Sequence, residues 1–372
     1  MERTKYIKNC RRIVIKCGSA VLTNEQGLID DKVIRNLSKD LADYFKNNYK
    51  ITVVTSGAVA SGIGVFQRQP KNIFEKQAFA SVGQLYLMES YKKSFKKHGL
   101  NIAQILLTHE DFKDRKRYLH IKENIKTLIN LKVIPIVNEN DSVVVDEIKF
   151  GDNDTLSALY AALYEADLLI MLTDIDGFFD SNPKENKESK LITSIKKIDE
   201  DIKKLATKTT SKLGTGGMLS KLEAAEKATK LGIPVIIANG KVKGIISKIL
   251  SGDLIGTFFY PQKKRLKSKK YWIFYTAKSR GKIIIDDGAV KAIKEKGKSL
   301  LPAGIIDVIG EFKEGDVVDC IDKNNKLIAK GISFYSSNDI LKIKQHGSSD
   351  ISEILGYKYS DEVIHRDNLV LK

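Results

Sequence analysis

Residues 213–221 read Leu-Gly-Thr-Gly-Gly-Met-Leu-Ser-Lys. Glycines let backbone N–H groups come close to a polyphosphate, and a helix starting after them turns its positive end toward the same charge. The stretch is not a Walker A loop, which needs Gly immediately before Lys and Ser or Thr immediately after it. Here Ser220 precedes Lys221 and Leu222 follows. Taken alone, it is either a nucleotide cradle or a flexible loop ahead of a helix. A second lysine, Lys16, ends an apolar run, where burial is costly without an anionic partner. It is either a snorkelling edge residue or a phosphate ligand. Two polar clusters follow, Asn138-Glu139-Asn140-Asp141-Ser142 and Gly151-Asp152-Asn153-Asp154. Grouping their acids and amides needs cations, donors or a polar substrate nearby, and helix capping by Asn153 or Asp154 explains one residue but not both clusters. Thr173-Asp174-Ile175-Asp176-Gly177 is not a calcium loop, since that alignment puts Leu172 and Pro183 where carboxylates are required.

These residues need elements to carry them. Residues 12–20, Arg-Ile-Val-Ile-Lys-Cys-Gly-Ser-Ala, predict a buried strand running into a glycine turn. Val33, Ile34, Leu37, Leu41 and Phe45 form a helical stripe within residues 30–47, and residues 50–54 are the next strand, ending in Thr55-Ser56-Gly57-Ala58. This β-α-β opening argues for a parallel sheet with helices on its faces and ligands at the carboxyl ends of its strands. Further along, residues 79–97, 155–164 and 222–231 read as helices, and residues 102–108, 133–137, 168–172 and 235–238 as strands. Arg115, Lys116 and Arg117 read as a solvated helix face. The run Gln-Lys-Lys-Arg-Leu-Lys-Ser-Lys-Lys after Pro261 is basic and coreless, and reads as a linker. Beyond it, residues 282–286, 317–321, 327–331 and 341–343 suggest short strands of a small β-rich domain.

The chain has 372 residues, 42% hydrophobic and 29% charged, which is an ordinary globular composition of two or three domains. Its net charge of +17 comes from scattered lysines; it gives a solvated surface and favours acidic ligands such as nucleotides or RNA. Cys10, Cys17 and Cys320 form no C-x-x-C pair, so neither a disulfide framework nor a zinc site is expected, and a reducing cytoplasm fits. The polar, basic start reads as no signal peptide. The longest apolar run, residues 168–172 with their flanks, is too short to span a bilayer, so no membrane role is expected.

In this order the stretches Ile15-Lys16-Cys17-Gly18-Ser19, Val54-Thr55-Ser56-Gly57-Ala58, Asn138-Glu139-Asn140-Asp141, Gly151-Asp152-Asn153-Asp154, Leu172-Thr173-Asp174 and Gly214-Thr215-Gly216-Gly217-Met218 with Lys221 resemble the glutamate 5-kinase (γ-glutamyl kinase) family of the amino-acid kinase superfamily. Asp287-Gly288-Ala289, Gly297-Lys298-Ser299-Leu300-Leu301-Pro302 and Gly304 resemble a PUA domain, a small β-barrel best known from RNA-modifying enzymes. The resemblance covers nearly the whole chain; Cys17 departs from the aliphatic residue common there. It implies an α/β, three-layer αβα fold with a mainly parallel sheet, then a β-barrel-like PUA domain. The implied division is residues 1–262 for the kinase domain, 263–274 for the basic linker, 275–360 for the PUA-like domain and 361–372 for a tail.

The implied reaction moves the γ-phosphoryl of ATP, accompanied by Mg2+, to the side-chain carboxylate of L-glutamate, the first step of proline synthesis. By matching positions, Lys16 neutralises the transferring phosphoryl, Lys221 the leaving ADP oxygen, and Asp154 orients both lysines. Gly18, Thr173, Asp174 and Gly214, Thr215, Gly216, Gly217, Met218, Leu219 and Ser220 join the two lysines around ATP. Ser56, Gly57, Asp141 and Asn153 hold glutamate, with Asp141 toward its ammonium. No dedicated protein metal site is implied, Mg2+ being held by phosphates and water. Proline as feedback inhibitor and a dimer or tetramer are also implied. The competing readings are a kinase acting on another carboxylate, such as acetylglutamate, and an RNA-binding or RNA-modifying protein.

Overall fold

A computed structural model of the chain describes residues 2–143, 153–183, 185–186, 188–208, 217–262, 268–273 and 277–371. It divides into two compact units, Met1–Asp111 with Arg117–Arg265, and Phe112–Lys116 with Leu266–Lys372.

The first unit is built on an eight-stranded sheet. Its strands are β1 (Arg12–Cys17), β2 (Lys50–Thr55), β3 (Asn101–Leu107), β4 (Val133–Glu139), β5 (Leu168–Thr173), β6 (Ser194–Ile195), β7 (Val235–Asn239) and β8 (Thr257–Phe259). They lie in the order β3-β4-β2-β1-β5-β7-β8-β6, and only the β7–β8 pairing is antiparallel. Every strand from β1 to β5, and β7, therefore delivers its carboxyl end to the same edge.

Side chains alternate across a strand, and here the alternation sorts the two faces. Ile13, Ile15 and Cys17 of β1, Ile51 and Val53 of β2, and Ile134 and Ile136 of β4 share one core with Leu37 and Leu41 of the helix Asp31–Lys46 and Leu87 and Tyr91 of the helix Ile73–Lys96. Val14 and Lys16 point to the other face. There the helices Asn153–Tyr164 and Met218–Lys230 pack on each other, the first against β1 and β5 and the second against β7. The Tyr160 hydroxyl reaches Thr52 of β2 at 3.5 Å on this side.

Helix starts lie earlier than periodicity suggests. Asn72 caps the helix Ile73–Lys96 by accepting from the Glu75 N–H at 2.9 Å, so the apolar stripe from residue 79 is its second part. Residues 153 and 154 are inside the first turn of their helix, and Met218, Leu219 and Ser220 inside the first turn of theirs.

The second unit holds the sheet β10-β9-β11-β12-β13, with β9 (Gly281–Ile285), β10 (Ile305–Ile309), β11 (Val317–Ile321), β12 (Leu327–Ile332) and β13 (Leu369–Leu371). Residues 341–343, expected as a strand, are the last turn of the helix Ser337–Ile343. Ser336 caps it through the Asp339 N–H, and Ile340 and Ile343, three apart, are both fully buried. Nor are residues 361–371 a detached tail. Val363 and Ile364 are core residues, Ile364 bridges Leu300, and β13 pairs antiparallel with β12. Residues 112–116 group with this unit, where the Trp272 indole N–H donates to the Phe112 carbonyl at 2.9 Å. Of the linker expected at 263–274, residues 263–267 and 274 lie outside the described residues, whereas Ser268–Tyr271 is a helix and Trp272 and Ile273 are buried, so this part is not a coreless linker.

Candidate active site

Three ionisable side chains of the first unit meet on the face that β1 shares with the helices Asn153–Tyr164 and Met218–Lys230. Lys16 Nζ is 2.5 Å from Asp154 Oδ1, and Lys221 Nζ is 3.1 Å from Asp154 Oδ2. All three are buried, with exposures of 3% for Lys16, 0% for Asp154 and 7% for Lys221. So the lysine of the first strand does not snorkel, and Asp154 does not cap. The snorkelling and capping alternatives fall because the partner lies in another element, and the joining of Lys16 and Lys221 through one carboxylate is the arrangement the resemblance implied. Ser220 adds a third contact, its hydroxyl 3.0 Å from Asp154 Oδ2 and 2.9 Å from the Gly217 carbonyl. Ser220, expected among the nucleotide contacts, has one hydroxyl proton and two acceptors within reach, Asp154 Oδ2 and the Gly217 carbonyl.

Gly217 precedes the helix Met218–Lys230 with extended backbone and no side-chain cap on the first N–H groups. The amides of Met218 and Leu219 thus stand at the positive helix end beside Lys221, a fitting seat for phosphate oxygens. Gly214, Thr215 and Gly216 lie outside the described residues, as do Gly151 and Asp152. On the β1 side, a Cβ at Gly18 would sit 3.4 Å from Lys16 Nζ and 3.3 Å from the Leu172 carbonyl, so a side chain there would crowd the ammonium. The Gly18 N–H already donates to that carbonyl at 3.3 Å, which leaves it a poorer phosphate donor than the spacing suggested. Thr173 ends β5 and hydrogen-bonds Asp174 at 3.2 Å; Asp174 is exposed at the same sheet edge.

A second set of polar residues occupies the ends of β2 and β4. The Ser56 N–H donates to the Cys17 carbonyl at 3.1 Å, tying the turn after β2 to the end of β1. Gly57 has φ +102°, a backbone conformation that favours glycine, while the Ile29 Cδ1 that a Cβ would meet at 2.9 Å is a side-chain end able to move aside. Asn153, adjacent to Asp154, donates from Nδ2 to Ser56 Oγ at 3.0 Å, while its buried Oδ1 has no hydrogen-bond partner among the described residues. Asp141 opens the single turn Asp141–Val143 after β4. Burial raises its carboxyl above the usual range, with Lys76 partly offsetting the shift. Between the two sets, the Cys17 thiol is pushed up to about 12 by burial, against the pull of Lys16, and stays neutral.

The sequence reading missed one buried amide pair: Asn138 Nδ2 donates to Gln84 Oε1 at 2.8 Å, with 2% and 8% exposure. Asn138 stands in the polar cluster at residues 138–142 and continues the inward-facing series Ile134, Ile136, whereas Gln84 carries no local signal. No group of three or more His, Cys, Asp or Glu among the described residues is placed to hold a metal ion, and no helix among them is long and apolar enough to cross a membrane.

A mainly parallel sheet thus carries a buried lysine-carboxylate-lysine cluster near its carboxyl edge. The family model described as the amino acid kinase family matches residues 11–239, and the PUA domain model matches residues 281–355. The chain belongs to the amino acid kinase family. Within it, the similarity runs end to end to glutamate 5-kinases. That of Thermoanaerobacter sp. (strain X514) is 46% identical over 97% of this chain and 97% of its own. The enzyme of Syntrophotalea carbinolica is 45% identical over 100% of both chains, and that of Syntrophus aciditrophicus 47% identical over 100% of this chain and 96% of its own.

Proposed function

We propose that this chain transfers the γ-phosphoryl group of ATP to the side-chain carboxylate of L-glutamate, giving glutamyl 5-phosphate and ADP at the entry to proline biosynthesis. The observation that carries the reading is Asp154 bonded to both Lys16 and Lys221, in a chain 45–47% identical over its full length to glutamate 5-kinases.

Glutamate's side-chain carboxylate is ionised at neutral pH, so its attack needs no base. One carboxylate oxygen bonds to the γ-phosphorus as the bond to the β,γ-bridging oxygen breaks, and that electron pair leaves on ADP. The obstacle is bringing two anions together, which positioning and fixed positive charge overcome. Lys16 meets the group in transfer and Lys221, with the helix amides beside it, the charge growing on ADP. Asp154 holds both ammonium groups in place. Ser56 and Asn153 position the acceptor, and Asp141 receives its ammonium. Mg2+ travels with ATP and neutralises phosphate charge.

Purified protein incubated with ATP, Mg2+ and a panel of acids should release ADP with glutamate, and hydroxylamine should trap the acyl phosphate. ADP release with acetylglutamate but not glutamate would overturn the assignment. Proline added to the same assay should compete with glutamate, as the resemblance implies. Assembly into dimers or tetramers is supported by exposed Phe74, Leu85 and Tyr86 on the helix Ile73–Lys96 and by the edge position of β3, and sedimentation reads it directly. The three cysteines are buried thiols with no disulfide among the described residues, which supports a cytoplasmic setting. RNA contact by the second unit rests on the neighbouring Tyr357 and Tyr359, ring centroids 4.9 Å apart, with Tyr359 64% exposed. A salt-sensitive gel shift should show it.

A further inference from the structure

Asn138 stands at the point where β4 gives way to the turn that carries Asp141. Its side chain follows Ile134 and Ile136 onto the face packed by the helix Ile73–Lys96. An apolar residue would be the cheaper choice at such a position, because a buried amide must be hydrogen-bonded to be tolerated. Gln84 supplies that bond at 2.8 Å, and Asn138 Oδ1 in turn accepts the Glu139 N–H at 2.9 Å. The pair therefore holds the last residues of β4 in a set conformation. Gln84 is itself incompletely satisfied, since its Nε2 is buried with no hydrogen-bond partner among the described residues. Stability alone would favour replacing both amides with apolar groups.

Ser81, one helical turn before Gln84, grips the other end of the same turn. Its hydroxyl lies 2.8 Å from Ser142 Oγ and 2.9 Å from the Gln77 carbonyl. With its one proton given to that carbonyl, Ser81 accepts from Ser142. Asp141 thus sits between two attachments to one helix. Gly83, between Ser81 and Gln84, brings the helix backbone against the Ala58 carbonyl, directly after Ser56 and Gly57. One helix therefore touches both turns assigned to the acceptor.

We propose that Gln84 is a positioning residue for the acceptor: acting through Asn138, with Ser81 in support, it sets where Asp141 is held. This rests on the reading of Asp141 as a glutamate contact. Gln84→Met keeps the side-chain length and removes the acceptor oxygen. It should raise KM for glutamate about tenfold, the scale of one lost hydrogen bond, while leaving KM for ATP unchanged. Because Gln84 acts through Asn138, the double variant Gln84→Met, Asn138→Leu should be no worse for glutamate than Asn138→Leu alone. Equal changes in both KM values, an additive double variant, or a fall in thermal stability with normal KM would overturn the proposal. If Gln84→Met does not fold, Ser81→Ala at its exposed position is measured instead; a smaller, glutamate-specific rise supports the proposal and an unchanged KM overturns it. Wild-type protein without glutamate-dependent ADP release would sink the functional reading and this proposal with it. Normal wild-type turnover with unaltered variants would sink this proposal alone.

Discussion

Asp154→Asn is the substitution that separates holding the lysines from using them. The carboxylate is fully buried and within bonding distance of two ammonium groups, at 2.5 and 3.1 Å. Asparagine keeps the shape and removes the charge, leaving Lys16 and Lys221 buried without the carboxylate that both of them bond. Breaking a buried ion pair by removing one partner costs about 3–5 kcal/mol. At roughly 2–4 °C per kcal/mol for a unit of this size, the melting midpoint should fall by about 6–20 °C. ATP brings negative charge to the same lysines, so it should raise the midpoint of the variant more than that of the wild type. Lys221→Met is the contrasting case. It leaves Asp154 bonded to Lys16 and near the Ser220 hydroxyl, so its stability should change little. Its kcat should nevertheless fall about 100-fold or more, the usual loss on removing a preorganised charge. Thermal shift with and without ATP, and steady-state ADP release, read both quantities. An Asp154→Asn protein as stable as wild type without ATP would refute the argument, and so would a Lys221→Met protein of normal kcat.

Burial raises the Asp141 carboxyl, so the folded state binds this proton more tightly than the unfolded chain and the ionised form costs stability. The cost is fully present above the raised pKa and gone below the ordinary aspartate value of about 3.9. Asp141→Asn should therefore melt higher than wild type at pH 7, with the gap closing in acid, while KM for glutamate rises; a lower midpoint at pH 7 would contradict this. In wild type, KM for glutamate should climb as pH falls through that raised pKa. Gly83→Ala places a Cβ 1.9 Å from the Ala58 carbonyl oxygen and 2.3 Å from the Gly62 nitrogen, both backbone atoms that cannot swing aside. Forcing the two helices apart should cost about 3 kcal/mol, read by denaturation, and an unchanged midpoint would show that the contact is not tight.

Much of this molecule is legible in its linear order. Apolar runs such as Ile13–Val14–Ile15 and Leu168–Met171 can only be strands buried on both faces, and the polar turns after them must then share one edge of a parallel sheet. The placement of Lys16, Ser56, Asp141 and Thr173 at that edge needed no coordinates. Period-two alternation even assigns Lys16 to the face opposite Cys17. Local signals could not reveal contacts made across elements. From its own neighbourhood Asp154 reads as a cap as readily as a charge anchor, because both are the same residue types at the start of a helix, and it is the resemblance that points to the two lysines. Ser220 reads as one more loop donor, although its hydroxyl also reaches Asp154. Residues 341–343 read as a strand, since three residues are too few to show a period, and the cap at Ser336 decides for helix. Residues 361–372 read as a tail until β12 offers Leu369–Leu371 an open edge. What the chain alone determines is which elements form and which residues reach the site edge. The resemblance already names Lys16, Lys221 and Asp154 together; only the packed structure decides that both ammonium groups bond the carboxylate directly and that all three are buried, because a buried charge takes its meaning from the partner that desolvation forces upon it.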